Sequence, residues 1–195
     1  MIRIAVIIGS TRPERFGELP ATWIADRLAA RGDLDVAVVD LRDYPLPFFA
    51  EAQSPARTGR DYRTPEMARW GRTIDAADGY VIVTPEYNHG YPAALKNALD
   101  HSFVEWHRKP VAFVGYGSVG GARAIEQLRQ VAVELEMAPL RHAVHILPDV
   151  MRAAREAARP VDPAVFASLE ARADLLATDL LWWAQALAAA RMRQS

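Results

Sequence analysis

Hydrophobic and polar positions alternate along this chain in two periods, and the switches between those periods mark its elements. Ile2–Ile8 is a short apolar run, rich in β-branched residues and closed by Gly9, as in a buried strand. Ala21, Ile24, Ala25 and Leu28 then fall at helical spacing, and Gly32-Asp33 punctuates the end. Val36, Val38 and Val39 within Asp35–Asp40 predict a second strand. Asp43–Arg63 contains Tyr44-Pro45-Leu46-Pro47-Phe48-Phe49, whose prolines oppose regular structure; it reads as a long lid over the sheet edge. Thr64-Pro65 has the form of an N-cap followed by proline at the first helical position, with Met67, Trp70, Ile74 and Ala77 as the apolar face. Gly79–Thr84 predicts the third strand, and Pro92 opens a helix through about His101. Pro110–Tyr116 predicts the fourth strand. Ile125, Leu128, Ala132 and Leu135 mark a following helix, and Ala143–Leu147 a fifth strand. Asp162-Pro163 caps a long C-terminal helix over 162–193.

Short apolar strands alternating with helices imply an α/β fold with a parallel sheet covered on both faces. About five such units fit a flavodoxin-like, doubly wound, five-stranded sheet of order 2-1-3-4-5 better than a six-stranded Rossmann sheet. The 195 residues suit one domain over 1–195.

Composition narrows the function classes. Lysine and arginine total 23 against 24 aspartates and glutamates, for a net charge of −1, so there is no electrostatic footprint for nucleic acid. There is no cysteine, which excludes disulfides, thiolate metal sites and a cysteine nucleophile, and fits a reducing compartment. The longest run free of Asp, Glu, Lys and Arg is Pro110–Ala122, shorter than the ~20 residues of a membrane helix. The N-terminal apolar run stops at Gly9-Ser10-Thr11-Arg12 and does not resemble a signal peptide. A soluble, cytoplasmic protein is expected.

Three loops carry the candidate chemistry. In a sheet of order 2-1-3-4-5 the first, third and fourth strands are adjacent, so the loops after them meet beyond their carboxyl ends. Gly9-Ser10-Thr11-Arg12-Pro13-Glu14-Arg15-Phe16-Gly17 leads into a helix, whose free N–H groups and positive dipole end favour an anion. Ser10 and Thr11 add hydroxyls, and Arg12 and Arg15 add donors suited to phosphate; the alternative is a surface turn with solvated arginines. No Gly-Lys-Ser/Thr follows, so it is not a Walker loop. In the second loop, Pro85 to Gly90, backbone amides and Asn88 suit a polar ring edge, and Tyr87 suits a flat ligand or the rim. Glu86 reads as a loop-bracing carboxylate, and His89 has no identifiable partner.

The third loop invites misreading. Gly115-Tyr116-Gly117-Ser118-Val119-Gly120 matches G-x-G-x-x-G, but only about one strand remains after it. Its glycines read instead as allowing close approach to a planar ligand. Ser118 lacks the glycine two residues upstream that a hydrolase elbow needs, and no histidine follows Asp149. His142 and His145, three apart on a strand, point to opposite faces and make a poor chelate. No metal site and no catalytic side chain is assigned.

Taken together, Gly9-Ser10-Thr11-Arg12, Pro85-Glu86-Tyr87-Asn88 and Tyr116-Gly117-Ser118 with Gly120-Gly121 resemble the NADPH-dependent FMN reductase family over roughly Ile2–Pro148. The resemblance implies bound FMN, NADPH as co-substrate and a small electron acceptor such as a quinone, flavin or azo compound. It implies that Ser10 and Arg12 hold the FMN phosphate, with Thr11 and the turn Arg15, Gly17, Glu18 nearby. By the same resemblance Pro85, Glu86, Tyr87 and Asn88 line the ring and ribityl chain, and Gly117 and Ser118 close the other side. One departure stands out: many relatives place a serine or threonine late in the first loop, where this chain has Arg15-Phe16-Gly17-Glu18. The alternative function is a flavodoxin-like electron carrier, or an FMN-binding protein without its own NADPH turnover. Carriers of that kind are strongly acidic, unlike this chain.

Self-association is the remaining expectation, as a homodimer or homotetramer. Phe166, Leu169, Ala173, Leu176, Leu180, Trp183 and Leu187 form one stripe that can cover the sheet, while Leu175, Leu181 and Trp182 lie off it. The helix with Ala94, Leu95, Ala98 and Leu99 resembles the dimer contact of related flavin reductases.

Overall fold

A computed structural model describes residues 1–193. Five parallel strands lie in the order β2-β1-β3-β4-β5: β1 Ile2–Ile8, β2 Leu34–Asp40, β3 Gly79–Pro85, β4 Pro110–Tyr116 and β5 Ala138–Ile146. The chain therefore has the expected flavodoxin-like arrangement. Every residue of β3 and β4 is buried, which explains the apolar runs Tyr80–Val83 and Val111–Val114.

The period of two along β1 divides the core. Ile4, Val6 and Ile8 point to one face and pack with Trp23, Ile24 and Leu28 of α1 (Glu18–Ala29) and with Leu176 and Leu180 of α7 (Glu170–Met192). Ala5 and Ile7 point to the other. There they meet Trp70 and Ile74 of α3 (Pro65–Asp75), Leu95 and Leu99 of α4 (Ala93–Asp100), and Ile125 and Leu128 of α5 (Ala122–Glu134). The Thr64 hydroxyl accepts from the Met67 amide and caps α3 as its sequence predicts.

Four expectations need correction. The long connection is not wholly irregular: Pro55–Thr58 forms a short helix, α2, capped by the Ser54 hydroxyl. The remainder is tied to α4 by side chains, with Asn97 accepting from the Phe49 amide at 2.8 Å and donating to the Pro47 carbonyl at 2.9 Å. β5 begins at Ala138, five residues early, beside a register shift between Val111 and Phe113. Residues 162–193 are not one helix: Pro163–Leu169 is 3-10 helix, and α7 starts at Glu170. A further helix, α6 (Pro148–Glu156), was not expected; it opens with proline in its first turn and Asp149 beside the dipole's positive end.

The apolar stripes also shift. Trp183, expected against the sheet, is 40% exposed, and Ala184 takes the buried place after Leu180. At 100° per residue Ala184 lies closer to the line of Ala173, Leu176, Ala177 and Leu180, and its small side chain lets α7 approach the sheet. Leu95, Ala98 and Leu99 of α4 are buried against their own sheet, while Ala94 on the same helix is partly exposed beside an open groove. No helix among the described residues is long and apolar enough to cross a membrane.

Candidate functional site

β1, β3 and β4 are neighbours, so the three loops after them are drawn together at the carboxyl edge of the sheet. The first is fastened where it begins: the Gly9 amide donates to the Val83 carbonyl at 2.8 Å. Ser10 is fully buried, and its Oγ lies 2.8 Å from the hydroxyl of Tyr87 in the second loop. The Arg12 amide also reaches the Ser10 oxygen, at 3.4 Å, and the Arg12 guanidinium stands 5.4 Å from the Tyr87 ring centroid. Ser10, Arg12 and Tyr87 thus form one cluster from two loops. Among the described residues no carboxylate lies within ion-pair distance of Arg12.

Arg15 behaves differently. Its side chain is 1% exposed and turns inward, where Nη1 donates to Asp40 Oδ1 at 2.7 Å, Nη2 pairs with Oδ2, and Nε donates to Glu18 at 3.1 Å. It also donates to the Ser10 carbonyl. Burial alone would lower the Arg15 pKa, yet the bonds and charges of Asp40 and Glu18 raise it. Burial would likewise raise Asp40, but Arg15 and Arg42 hold its carboxyl below the usual range. Arg15, expected as a phosphate donor, is committed to bracing the loop. Arg42 adds to the brace, pairing with Glu18 at 2.8 Å and donating to the Arg12 carbonyl. Asp40 and Arg42 were not singled out in the sequence. The available signal was the carboxylate at the end of β2, beside an arginine-rich loop on the neighbouring strand.

The second loop is a tight turn. Tyr87 and Gly90 exchange backbone hydrogen bonds at 2.8 and 3.0 Å, and Asn88 (φ 49°) and His89 (φ 70°) both take the positive φ that a two-residue I′ turn demands. Glu86 braces it, as its sequence context indicates. Its side chain is 4% exposed and accepts from the Arg123 amide at 3.0 Å and from Arg123 Nε at 2.5 Å. Burial would raise this carboxyl, but the Arg123 bonds and charge hold it below the ordinary range. The Glu86 amide donates to the Tyr116 carbonyl at 3.1 Å and so joins the second loop to the third.

In the third loop, Gly117 (φ 145°), Gly120 (φ 64°) and Gly121 (φ 71°) adopt backbone conformations that disfavour other residues. Arg12, Arg15, Pro85, Glu86, Tyr87 and Gly117 line one cleft of about 240 Å³. Ser118 lines an adjoining cleft of about 520 Å³. Thr11 faces a separate groove beside Tyr44 and Asn97, Gly17 and Glu18 sit at the start of α1, and Asn88 is exposed at the turn tip. Met151 and Arg155 of α6 line both clefts; neither was anticipated, because α6 itself was not. No group of His, Asp and Glu among the described residues could hold a metal.

Residues 2–150 match the family described as NADPH-dependent FMN reductase. The chain belongs to that family. As an NADPH-dependent FMN reductase family member it is an oxidoreductase that works with FMN and NADPH. It is 45% identical over 136 residues to an NAD(P)H-dependent FMN reductase of Schizosaccharomyces pombe, spanning 69% of this chain and 68% of that one. It is 36% identical over 146 residues to a 2-hydroxy-1,4-benzoquinone reductase of Burkholderia sp, spanning 70% of this chain and 73% of that one. The fold is shared with a flavoenzyme NAD(P)H:(acceptor) oxidoreductase of Paracoccus denitrificans, at TM-score 0.70 and 22% identity, covering 95% of this chain and 98% of that one.

Acid should loosen the site before the core. Asp40 and Glu86 have lowered pKa values when folded, so their stabilisation is complete above the ordinary carboxylate range and is lost as pH falls through the depressed values. Melting temperature is expected to stay nearly level down to about pH 5 and to drop below about pH 4. Asp40→Asn should remove part of that drop. A fall centred near pH 6 would contradict these assignments.

Proposed function

We propose that this chain carries FMN in the cleft between its three loops and uses NADPH to reduce a small acceptor of the quinone class. The observation that carries the reading is the cluster of Ser10, Arg12 and Tyr87 beside the start of α1. A buried hydroxyl, a guanidinium with no carboxylate partner among the described residues, and loop amides make a donor set that fits a phosphate. Ser10 and Arg12 hold the phosphate beside the turn containing Gly17 and Glu18, whereas Thr11, turned to the neighbouring groove, contributes no side-chain donor. Arg15 contributes indirectly, by fixing the loop through Asp40. Pro85 and Tyr87 lie along the ring and ribityl chain, and Asn88 shapes the turn that carries them. Gly117 and Ser118 close the opposite side, where a backbone without Cβ admits a flat ligand.

When bound, FMN supplies the hydride acceptance and electron delivery, so the side chains need not provide a nucleophile or a general acid. Their task is positioning. Glu86 is kept ionised by Arg123 and fixes the second loop against α5. Tyr116, edge-on to Phe16 at 5.1 Å, holds the first loop against the third strand's neighbour, β4. The quinone class is supported by the Burkholderia relative's name.

With one site serving donor and acceptor in turn, turnover of NADPH and a benzoquinone is expected to be ping-pong, with parallel double-reciprocal lines. Intersecting lines would count against it. Self-association is part of the reading, supported by Leu175, Trp182 and Trp183 standing 47%, 62% and 40% exposed on α7. Light scattering at micromolar concentration should give at least twice the chain mass; a value near 21.6 kDa would exclude it.

A further inference from the structure

A phosphate monoester carries about −1.5 to −2 charge near neutral pH, and each guanidinium set against it adds a charge-assisted hydrogen bond to those of the loop amides and hydroxyls. The first loop offers fewer such cations than its sequence promises. Arg15 is buried against Asp40, and Arg42 is engaged by Glu18. Glu14 lines the cleft and adds negative charge, and Arg15-Phe16-Gly17-Glu18 contains no hydroxyl. Arg12 is the loop's one cation without a carboxylate partner among the described residues.

A second such cation reaches the same cleft from another element. Met151 and Arg155 stand four apart on α6, so both face the cleft. Arg155 is exposed and has no carboxylate within ion-pair distance among the described residues. Its guanidinium lies over the Phe16 ring, 5.6 Å from the centroid. Phe16 is a fixed platform: it is buried, packs on Tyr116, and immediately precedes Gly17 at the start of α1. The neighbouring Arg152 differs on both counts, since it lines only the outer cleft and pairs with Asp149.

We propose that Arg155 is the second cation of the cofactor's phosphate site, contributed by α6 across the cleft from Arg12. This rests on the reading of the cleft as the FMN site. The same guanidinium chemistry would also suit the 2′-phosphate of NADPH, and riboflavin, which lacks a phosphate, separates the two sources.

Wild type, Arg155→Gln and Arg152→Gln are each titrated with FMN and with riboflavin, following flavin fluorescence, after circular dichroism has verified folding. Arg155→Gln is expected to raise the Kd for FMN roughly tenfold, as loss of a charged hydrogen bond does. Its riboflavin Kd, and both values for Arg152→Gln, should stay within about twofold of wild type. Equal losses for FMN and riboflavin would overturn the proposal, because the residue would then only shape the cleft. Unchanged FMN affinity would also overturn it and leave the FMN reading intact. A kcat/KM loss confined to NADPH over NADH would in that case assign Arg155 to the nucleotide. Failure of wild type to bind FMN would remove both the proposal and the reading beneath it.

Discussion

Arg12→Ala is expected to weaken FMN binding by roughly ten- to hundredfold in a protein that still folds, as loss of a charged hydrogen bond of ~1.5–3 kcal/mol requires. The effect should be confined to the ligand. Arg12 makes no ion pair among the described residues, and its side chain contacts the Tyr87 ring in an exposed position, so truncation removes little from the fold. Arg12→Lys should retain part of the affinity, because charge survives while the planar fork is lost. Riboflavin should bind both variants about as well as wild type. An Arg12→Ala protein with unchanged FMN affinity would defeat the assignment of the first loop to the phosphate.

Asp40→Ala should act in the opposite way, through stability first. Removing one partner of a buried ion pair leaves the other charge uncompensated, at a typical cost of 3–5 kcal/mol. Asp40 is a quarter exposed and Glu18 remains beside Arg15, so about 3 kcal/mol, the low end of that range, is expected. FMN affinity should fall with it, because Arg15 joins Asp40 at the end of β2 to the Ser10 carbonyl. Urea unfolding and FMN titration on the same sample check both parts. A stability loss below about 1 kcal/mol, the scale of a surface pair, would show that the pair does not organise the loop.

Much of this was legible in the sequence, for identifiable reasons. The central strands were the clearest, because β3 and β4 are buried on both faces and so carry the apolar runs Tyr80–Val83 and Val111–Val114. Their order followed from five alternating units, and the order alone brought the three loops together. The bracing role of Glu86 was also readable as a carboxylate in a tight loop, and the structure supplies its partner, Arg123. Less legible were features that depend on distant partners. Arg15 looks like Arg12 in the sequence; only the adjacency of β1 and β2 puts Asp40 beside it. Helix α6 was obscured by its shortness: Val150, Met151 and Ala154 share one face, but over nine residues they make a stripe of barely two turns, with only Ala154 fully buried. Missing α6 concealed Met151 and Arg155, which form one wall of the cleft. The position of Trp183 misled because spacings of three and four are equally helical, and local packing against the sheet selects between them.

The most direct measurement is an anaerobic titration of the purified protein, loaded with one equivalent of FMN and freed of excess by filtration. The expected result is that FMN stays with the protein, that NADPH abolishes the oxidised-flavin absorbance, and that a benzoquinone restores it. FMN recovered in the filtrate, or retained FMN whose absorbance NADPH leaves unchanged, would contradict a reductase site built from these three loops.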